Sequence, residues 1–293
     1  MKVQSFTRNR LKYSVNEKFF NKWSSQMAYI LGFTYSDGNI YKSTLAWDIQ
    51  KRDRELLVKI RRAMNSNHPI KERSHSVRLR ISNLKLISGA IKRGLMEKKS
   101  KRMILPSIPT KFISHFMRGF LDGDGWVVLR NGRNEADIGF VSGNQKFLEN
   151  VSLRIFEETG IKGHVRAKFK ITPNGFRSTT YLMEYFSNNA VRVGNWIYSH
   201  LSQKDLKLRR KYMKYLKAVK LYDYINSGSR GVRVVQKKMK DTMRNILHKF
   251  YVENHLNAVQ IANILKVHSS SIYRWLEKTG TRHPIHRKEF ISG

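Results

Sequence analysis

Residues 117–125 read Met117-Arg-Gly-Phe-Leu-Asp-Gly-Asp124-Gly125, and residues 30–38 read Ile30-Leu-Gly-Phe-Thr-Tyr-Ser-Asp37-Gly38. Both have the form apolar-x-Gly-Phe-x-x-x-Asp-Gly, and the aspartates stand 124 − 37 = 87 positions apart. The run before each aspartate is apolar nearly all round, which predicts a buried helix. Gly32 and Gly119 leave a gap in mid-helix that costs about 1 kcal/mol against alanine unless a second backbone packs there. Gly38 and Gly125 follow the acids, where a helix commonly ends in the left-handed conformation. Each aspartate is thus expected at a helix C-terminus, among unpaired carbonyls and a dipole that disfavours a carboxylate. Two such acids on closely packed helices repel each other unless cations bind between them. Carboxylate and carbonyl oxygens are the ligands Mg²⁺ prefers, so the pattern suits metal-assisted phosphodiester hydrolysis. One Asp-Gly pair is a common turn. Two on matching buried helices constitute a repeat.

The same order of elements follows each motif. Second strands are predicted at Leu45–Ile49 and Asp137–Val141, then helices beginning near Asp53 and Asn144, both at N-cap positions. Val77, Leu79 and Ile81 alternate with Ser76, Arg78, Arg80 and Ser82. Val165, Ala167, Phe169 and Ile171 alternate with Arg166, Lys168 and Lys170. These are expected to be half-buried antiparallel strands with a cationic wet face. A charged wet face is ordinarily just solvated. Here it is basic in both repeats, which favours a DNA-contacting face.

Lys and Arg number 57 against 21 acidic residues, a formal charge of +36. That excess implies a polyanionic partner, with nucleic acid ahead of a membrane surface because the charge is not gathered on one amphipathic helix. Hydrophobic residues at 40% allow a packed core, and the absence of cysteine excludes disulfides, Cys-ligated zinc and thiol catalysis. Without a membrane-length apolar run or a signal-like N-terminus, a cytoplasmic protein is expected, nucleoid-associated or in an organellar matrix.

The segments Ile30–Gly38 and Met117–Gly125, with the lead-in Trp23-Ser-Ser-Gln-Met-Ala-Tyr-Ile-Leu-Gly, resemble the signature motifs of the LAGLIDADG homing endonucleases, over roughly residues 21–224. The resemblance implies an α+β fold of two pseudo-symmetric αββαββα repeats, residues 1–110 and 111–225. The motif helices would lie at the centre and saddle-shaped antiparallel sheets on the DNA major groove. It implies that Asp37 and Asp124 bind two or three Mg²⁺ ions and that a monomer cuts both strands of double-stranded DNA, leaving 3′ overhangs. A Gln often follows the second strand in this family. Lys51 stands there in the first repeat and Ser142 in the second, so the water network would be asymmetric. Lys99 and Lys207 match the basic residues near the repeat ends that stabilise charge at the scissile phosphate, with Lys98 the alternative to Lys99. A generic phosphate contact is an equal reading for each lysine. Asp122 is read as structural. Tyr41, Ser43, Ser76, Arg78, Arg80, Arg130, Arg166, Lys168 and Lys170 are the expected DNA-contacting residues of the sheets.

Asn226-Ser-Gly-Ser-Arg-Gly231 reads as a linker, assigned to 226–235, before a helical domain at 236–293. Residues 257–280 resemble a helix-turn-helix, with Asn257 and Ser269 as caps and a further helix around Met243–Val252. Ile261, Ala262 and Leu265 would face Ile272, Trp275 and Leu276, with Val267 in the turn. Ser270, Ser271, Tyr273 and Arg274 are the candidates for the groove. A helical bundle that docks on protein is the plainer reading. The histidines at 248, 255, 268, 283 and 286 lack metal-ligand spacing and read as surface or packing residues. Two alternatives to DNA cutting stand: a non-cutting transcription regulator of the same domain order, and an intron RNA maturase. The acid pair favours cutting, because a pure DNA binder has no need of it.

Overall fold

A computed structural model describes residues 13–281 except 131–134, 172–173, 176, 200, 203–204, 227–234, 237–238 and 240. The chain divides into two compact units, Met1–Ala218 and Val219–Gly293. Both motif helices and their sheets fall in the first unit, whereas the expected bound of the second repeat, residue 225, runs past its end.

The first repeat runs α1 (Ser25–Asp37), β1 (Gly38–Tyr41), β2 (Thr44–Gln50), α2 (Arg54–Ala63), β3 (Ile70–Glu72), β4 (Ser76–Ser82) and α3 (Leu84–Lys92). The second runs α4 (Thr110–Asp124), β5 (Gly125–Arg130), β6 (Glu135–Ser142), α5 (Gln145–Thr159), β7 (His164–Ile171), β8 (Arg177–Phe186) and α6 (Ser187–Ile197). Each repeat is αββαββα, and each sheet is four-stranded and antiparallel, ordered β1-β2-β4-β3 and β5-β6-β8-β7. A longer helix, α7 (Arg209–Asn226), follows.

Local chemistry sets these elements. Ser24 opens α1 by accepting from Met27 N at 3.1 Å, and Asn144 opens α5 by accepting from Phe147 N at 3.0 Å. In β4 the residues Val77, Leu79 and Ile81 are buried under α2, each contributing about 1.5–3 kcal/mol. Strand β7 departs from the expected pattern, because Phe169 and Ile171 are 62% and 69% exposed. β7 is an edge strand, and α5 is bonded to the residue just before it, where Ser152 Oγ donates to Gly163 O and accepts from Gly163 N.

The two glycines after the acids are also not left-handed. Gly38 has φ −83° and Gly125 φ −105°, both extended, because each helix passes directly into a strand. Glycine is required for room instead: a Cβ would lie 2.8 Å from Thr34 O at Gly38 and 2.6 Å from Leu121 O at Gly125.

The second unit is helical among the described residues. It contains α8 (Met243–Leu247), continued by a π-helical turn (His248–Glu253), then α9 (Ala258–Leu265) and α10 (Ser269–Lys278). Ile261 and Ala262 pack with Ile272, Trp275 and Leu276 as the periodicity predicts, against Ile246 and Leu247 of α8. Asn257 and Gln260 form a reciprocal capping box. The cap of α10 is His268 rather than Ser269, its Nδ1 accepting from Ser270 N at 3.2 Å. Of the linker assignment, residues 227–234 lie outside the described residues, as do His283 and His286.

Candidate active site

Helices α1 and α4 cross at their glycines. A Cβ on Gly32 would stand 2.9 Å from the Phe116 carbonyl carbon and nearer still to its oxygen. A Cβ on Gly119 would meet the Tyr29 carbonyl in the same way, at 2.9 Å from the carbon. The contact is symmetric under the repeat, since 29 + 87 = 116 and 32 + 87 = 119. It continues to the helix ends, where a Cβ on Gly123 would clash with Ser36 Oγ and sit 3.4 Å from Asp37 Cγ. The close crossing therefore delivers Asp37 and Asp124 to one place.

Their electrostatics follow from crowding. Burial, and then the neighbouring Asp37, push the Asp124 carboxyl up to about 6, against the pull of Lys99 and Lys211. Asp37 remains exposed by area, yet protein packed around its carboxyl raises it too. Lys211, Lys99 and Arg210 oppose that rise, in this order, and Asp53 adds to it.

Two lysines hold the helix ends. Lys99 Nζ donates to Ser36 O at 2.8 Å. Lys211 Nζ lies 2.7 Å from Leu121 O, 2.7 Å from Asp122 O, 3.1 Å from Gly123 O and 2.6 Å from Gly125 O. Each lysine thus reaches the carbonyl just before the acid of its own repeat, and satisfies groups the helix leaves open. Burial lowers Lys211 to about 8, with Asp122 the main counterweight, so it stays charged near neutral pH.

Asp122 works behind this site, as the structural reading expects. Its Oδ2 accepts from Tyr29 OH and from Leu208 N, both at 2.7 Å. Arg118, fully buried, donates to Leu206 O at 3.0 Å and Ile197 O at 3.1 Å. Together they pin residues 206–208 and so aim Lys211.

The lysine that reaches the end of α4 is Lys211, not the expected basic residue of the second repeat, Lys207. Lys207 lies before the helix with its ammonium 5.2 Å from the Tyr212 ring centroid, whereas α7 buries Lys211, Tyr215 and Ala218 on one face. That helical spacing was the available signal in Leu208-x-x-Lys211-x-x-x-Tyr215-x-x-Ala218. Lys51 is exposed on a 3₁₀ turn and is not among the cations acting on either acid. Asp53 makes no capping hydrogen bond; its carboxylate accepts from Arg210 Nε at 3.2 and 3.1 Å. The sequence marks Asp53 only as a helix cap and does not mark Arg210. Ser142 is buried, and its Oγ accepts from Asn144 N.

On the sheets, Tyr41 is 60% exposed and Ser43 and Ser76 are half-buried. Arg80, Lys168 and Lys170 are exposed, with no ion pair among the described residues. Arg78 and Arg166 are exposed or half-exposed but paired, with Asp48 and Glu184, each at 2.6 Å. Arg130 ends β5. In the second unit Ser270, Tyr273 and Arg274 are exposed on α10. Ser271 is not, because it lies on the buried side beside Ile272.

Two carboxylates in mutual repulsion, with main-chain oxygens beside them, fit Mg²⁺, which takes one or two protein carboxylates and completes its shell with water and phosphate oxygens. Among the described residues no group of three His, Cys, Asp or Glu forms a self-sufficient metal cage. No described helix is long and apolar enough to cross a membrane.

Residues 111–198 match the model of the LAGLIDADG-like domain. The chain is 30% identical over 135 residues to a probable translation initiation factor IF-2 of Thermococcus kodakarensis. The match takes in 43% of this chain and about a tenth (11%) of that protein's length. Among solved structures, the meganuclease I-AabMI bound to uncleaved DNA is 13% identical with a TM-score of 0.46, covering 73% of this chain and 97% of that one. Full-length DUF199/WhiA from Thermatoga maritima is 12% identical with a TM-score of 0.41, covering 90% and 94%. Mesophilic variants of the homing endonuclease I-DmoI are 16% identical with a TM-score of 0.40, covering 66% and 96%.

Proposed function

We propose that this chain, in which residues 111–198 form a LAGLIDADG-like domain, is a site-specific endonuclease that cuts both strands of double-stranded DNA. The observation that carries this reading is the meeting of Asp37 and Asp124 at the ends of two glycine-packed helices. Nothing in DNA binding alone calls for two carboxylates raised by crowding and set among the ends of a cationic protein.

Asp37 and Asp124 would hold Mg²⁺ between them. Bound there, the ion supplies Lewis-acid polarisation of phosphate oxygens and neutralises charge that develops in phosphodiester hydrolysis. The chain does the rest. Lys211 and Lys99 fix the helix ends, so the acids need no rearrangement when substrate arrives. Lys99 keeps donors available for a phosphate. The exposed faces carrying Tyr41, Ser43, Ser76, Arg78, Arg80, Arg130, Arg166, Lys168 and Lys170 bind the duplex, phosphates giving affinity and base edges giving sequence. The second unit acts as a helix-turn-helix whose Ser270, Tyr273 and Arg274 lengthen the site on one side.

The test is incubation of the full chain with Mg²⁺ and a randomised duplex library, beside the Asp37→Asn/Asp124→Asn double variant. Cutting of both strands by the wild type alone, abolished by EDTA and leaving 3′ overhangs, is expected. Specific DNA binding without cutting, unchanged in the variant, would replace the endonuclease with a transcription regulator. Binding confined to structured intron RNA would point to a maturase.

A further inference from the structure

Strand β7 breaks the repeat. Its counterpart at the edge of the first sheet, β3, has three residues, whereas β7 has eight. A long edge leaves a row of backbone donors and acceptors open to another strand, and among the described residues none lies beyond β7. The strand's core side is also uncovered. Val165 pairs with buried Met183, which sets that side, yet Ala167, Phe169 and Ile171 further along it are all exposed. Helix α5 adds Leu153 and Phe156, 56% and 45% exposed and one helical turn apart. Between them and the start of β7 runs a groove of about 590 Å³, also lined by Lys162, His164 and Val165. In the first repeat α2 exposes no large hydrophobic residue.

Charge decides what fits this edge. The other face of β7 carries Arg166, Lys168 and Lys170, of which Arg166 pairs with Glu184. A second copy of the chain, paired edge to edge, would set these cations beside its own, and like charges across a strand pair are destabilising. The ends of the chain suit it no better. Residues 1–12 hold four Lys or Arg and no acid, and residues 282–293 hold three Lys or Arg and one acid. Side chains alternate across a strand, so an added strand with acids on one side and apolar residues on the other answers both faces of β7 at once. Its main chain would continue the sheet, and its apolar side chains would fill the groove.

We propose that β7 is a docking edge for an extended segment of another protein in which apolar and acidic residues alternate. The apolar side chains cover Leu153 and Phe156, and the acidic ones meet Lys168 and Lys170. Docking does not depend on the endonuclease reading. Its consequence rests on the DNA-binding part of that reading: Lys168 and Lys170 serve either the duplex or the partner, so the two compete at that end of the site.

The experiment selects short random peptides, displayed on phage, against the full chain. Enriched peptides are expected to alternate apolar and acidic residues. One is then synthesised beside a control of the same composition with its acids and apolar residues in separate blocks. The alternating peptide should bind tighter by on the order of tenfold and slow amide exchange within residues 164–171. Leu153→Ser/Phe156→Ser, at exposed positions, should weaken it by about tenfold. Lys168→Glu/Lys170→Glu should shift the selected peptides from acidic to basic. No enriched peptide, equal binding of the two peptides, protection away from β7, or an unchanged affinity in the serine variant would each overturn the proposal. Slowed exchange at β7 that follows protein concentration alone would assign the edge to a second copy, and overturn it too. The bound peptide should also weaken binding of a random-sequence duplex. A peptide held at β7 that leaves duplex affinity unchanged would sustain the docking and remove Lys168 and Lys170 from the DNA surface.

Discussion

The phenol of Tyr29 on α1 donates to Asp122 Oδ2 on α4 at 2.7 Å, across the interface between the two repeats. The repeat does not reproduce this bond, because the residue matching Asp122 is Tyr35 (122 − 87 = 35). Asp122 is 1% exposed, and its other oxygen makes no hydrogen bond among the described residues. Tyr29→Phe therefore leaves a buried carboxyl with Leu208 N as its hydrogen-bond donor. We expect a loss of about 1–3 kcal/mol in denaturant unfolding, larger than for an exposed Tyr→Phe change. An unchanged midpoint would show that the bond contributes nothing net.

The glycine crossing gives a second expectation. Gly32→Ala places a methyl against the main-chain carbonyl of Phe116, which cannot rotate away. Overpacking should destabilise the first unit by about 2–3 kcal/mol or separate the helix ends. Thermal unfolding reads the first effect. Metal-dependent cutting reads the second, since a small separation moves Asp37 from Asp124.

The acids carry a stability cost that depends on pH. Asp124 is raised in the folded protein to about 6, so its contribution is fully favourable below the unfolded carboxyl range and is lost as pH rises through about 6. Without divalent metal, Asp124→Asn should be more stable than wild type at pH 7, by about 1–2 kcal/mol. The difference should shrink toward zero as pH falls to about 4. Paired melts in EDTA across that range check the sign. A variant less stable at pH 7 would show that Asp124 makes compensating bonds as an anion.

In the second unit, Arg274 is exposed on α10 while its neighbour Trp275 is in the core. Arg274→Ala should leave the fold intact and remove protection at one end of the DNA footprint only. If its contact is to phosphate, the slope of affinity against salt should fall by about 1. A footprint symmetric about the cut in the wild type would contradict a one-sided extension.

Much of the architecture was legible in the chain. The 87-residue repeat, Gly32 and Gly119, and the alternation of Val77, Leu79 and Ile81 predict the helices, the strands and their buried faces. Short-range chemistry was less legible where two solutions are open to one residue. Asp53 occupies a capping position, yet a guanidinium 157 residues away competes successfully for its carboxylate. Gly38 and Gly125 suggest left-handed caps, yet each chain continues straight into a strand and uses glycine for space.

What the sequence by itself determined is the repeated pattern of local elements and the placement of an aspartate at the end of each motif helix, because helix and strand periodicities are properties of neighbouring residues. Which lysine meets those acids was decided only in three dimensions. Lys207, Arg210 and Lys211 stand within five consecutive residues, four of which are cationic. Asp122 and Arg118 anchor residues 206–208, and the start of α7 then turns Lys211 inward and leaves Arg210 outward. A side chain's direction at such a junction depends on long-range hydrogen bonds that no local pattern encodes.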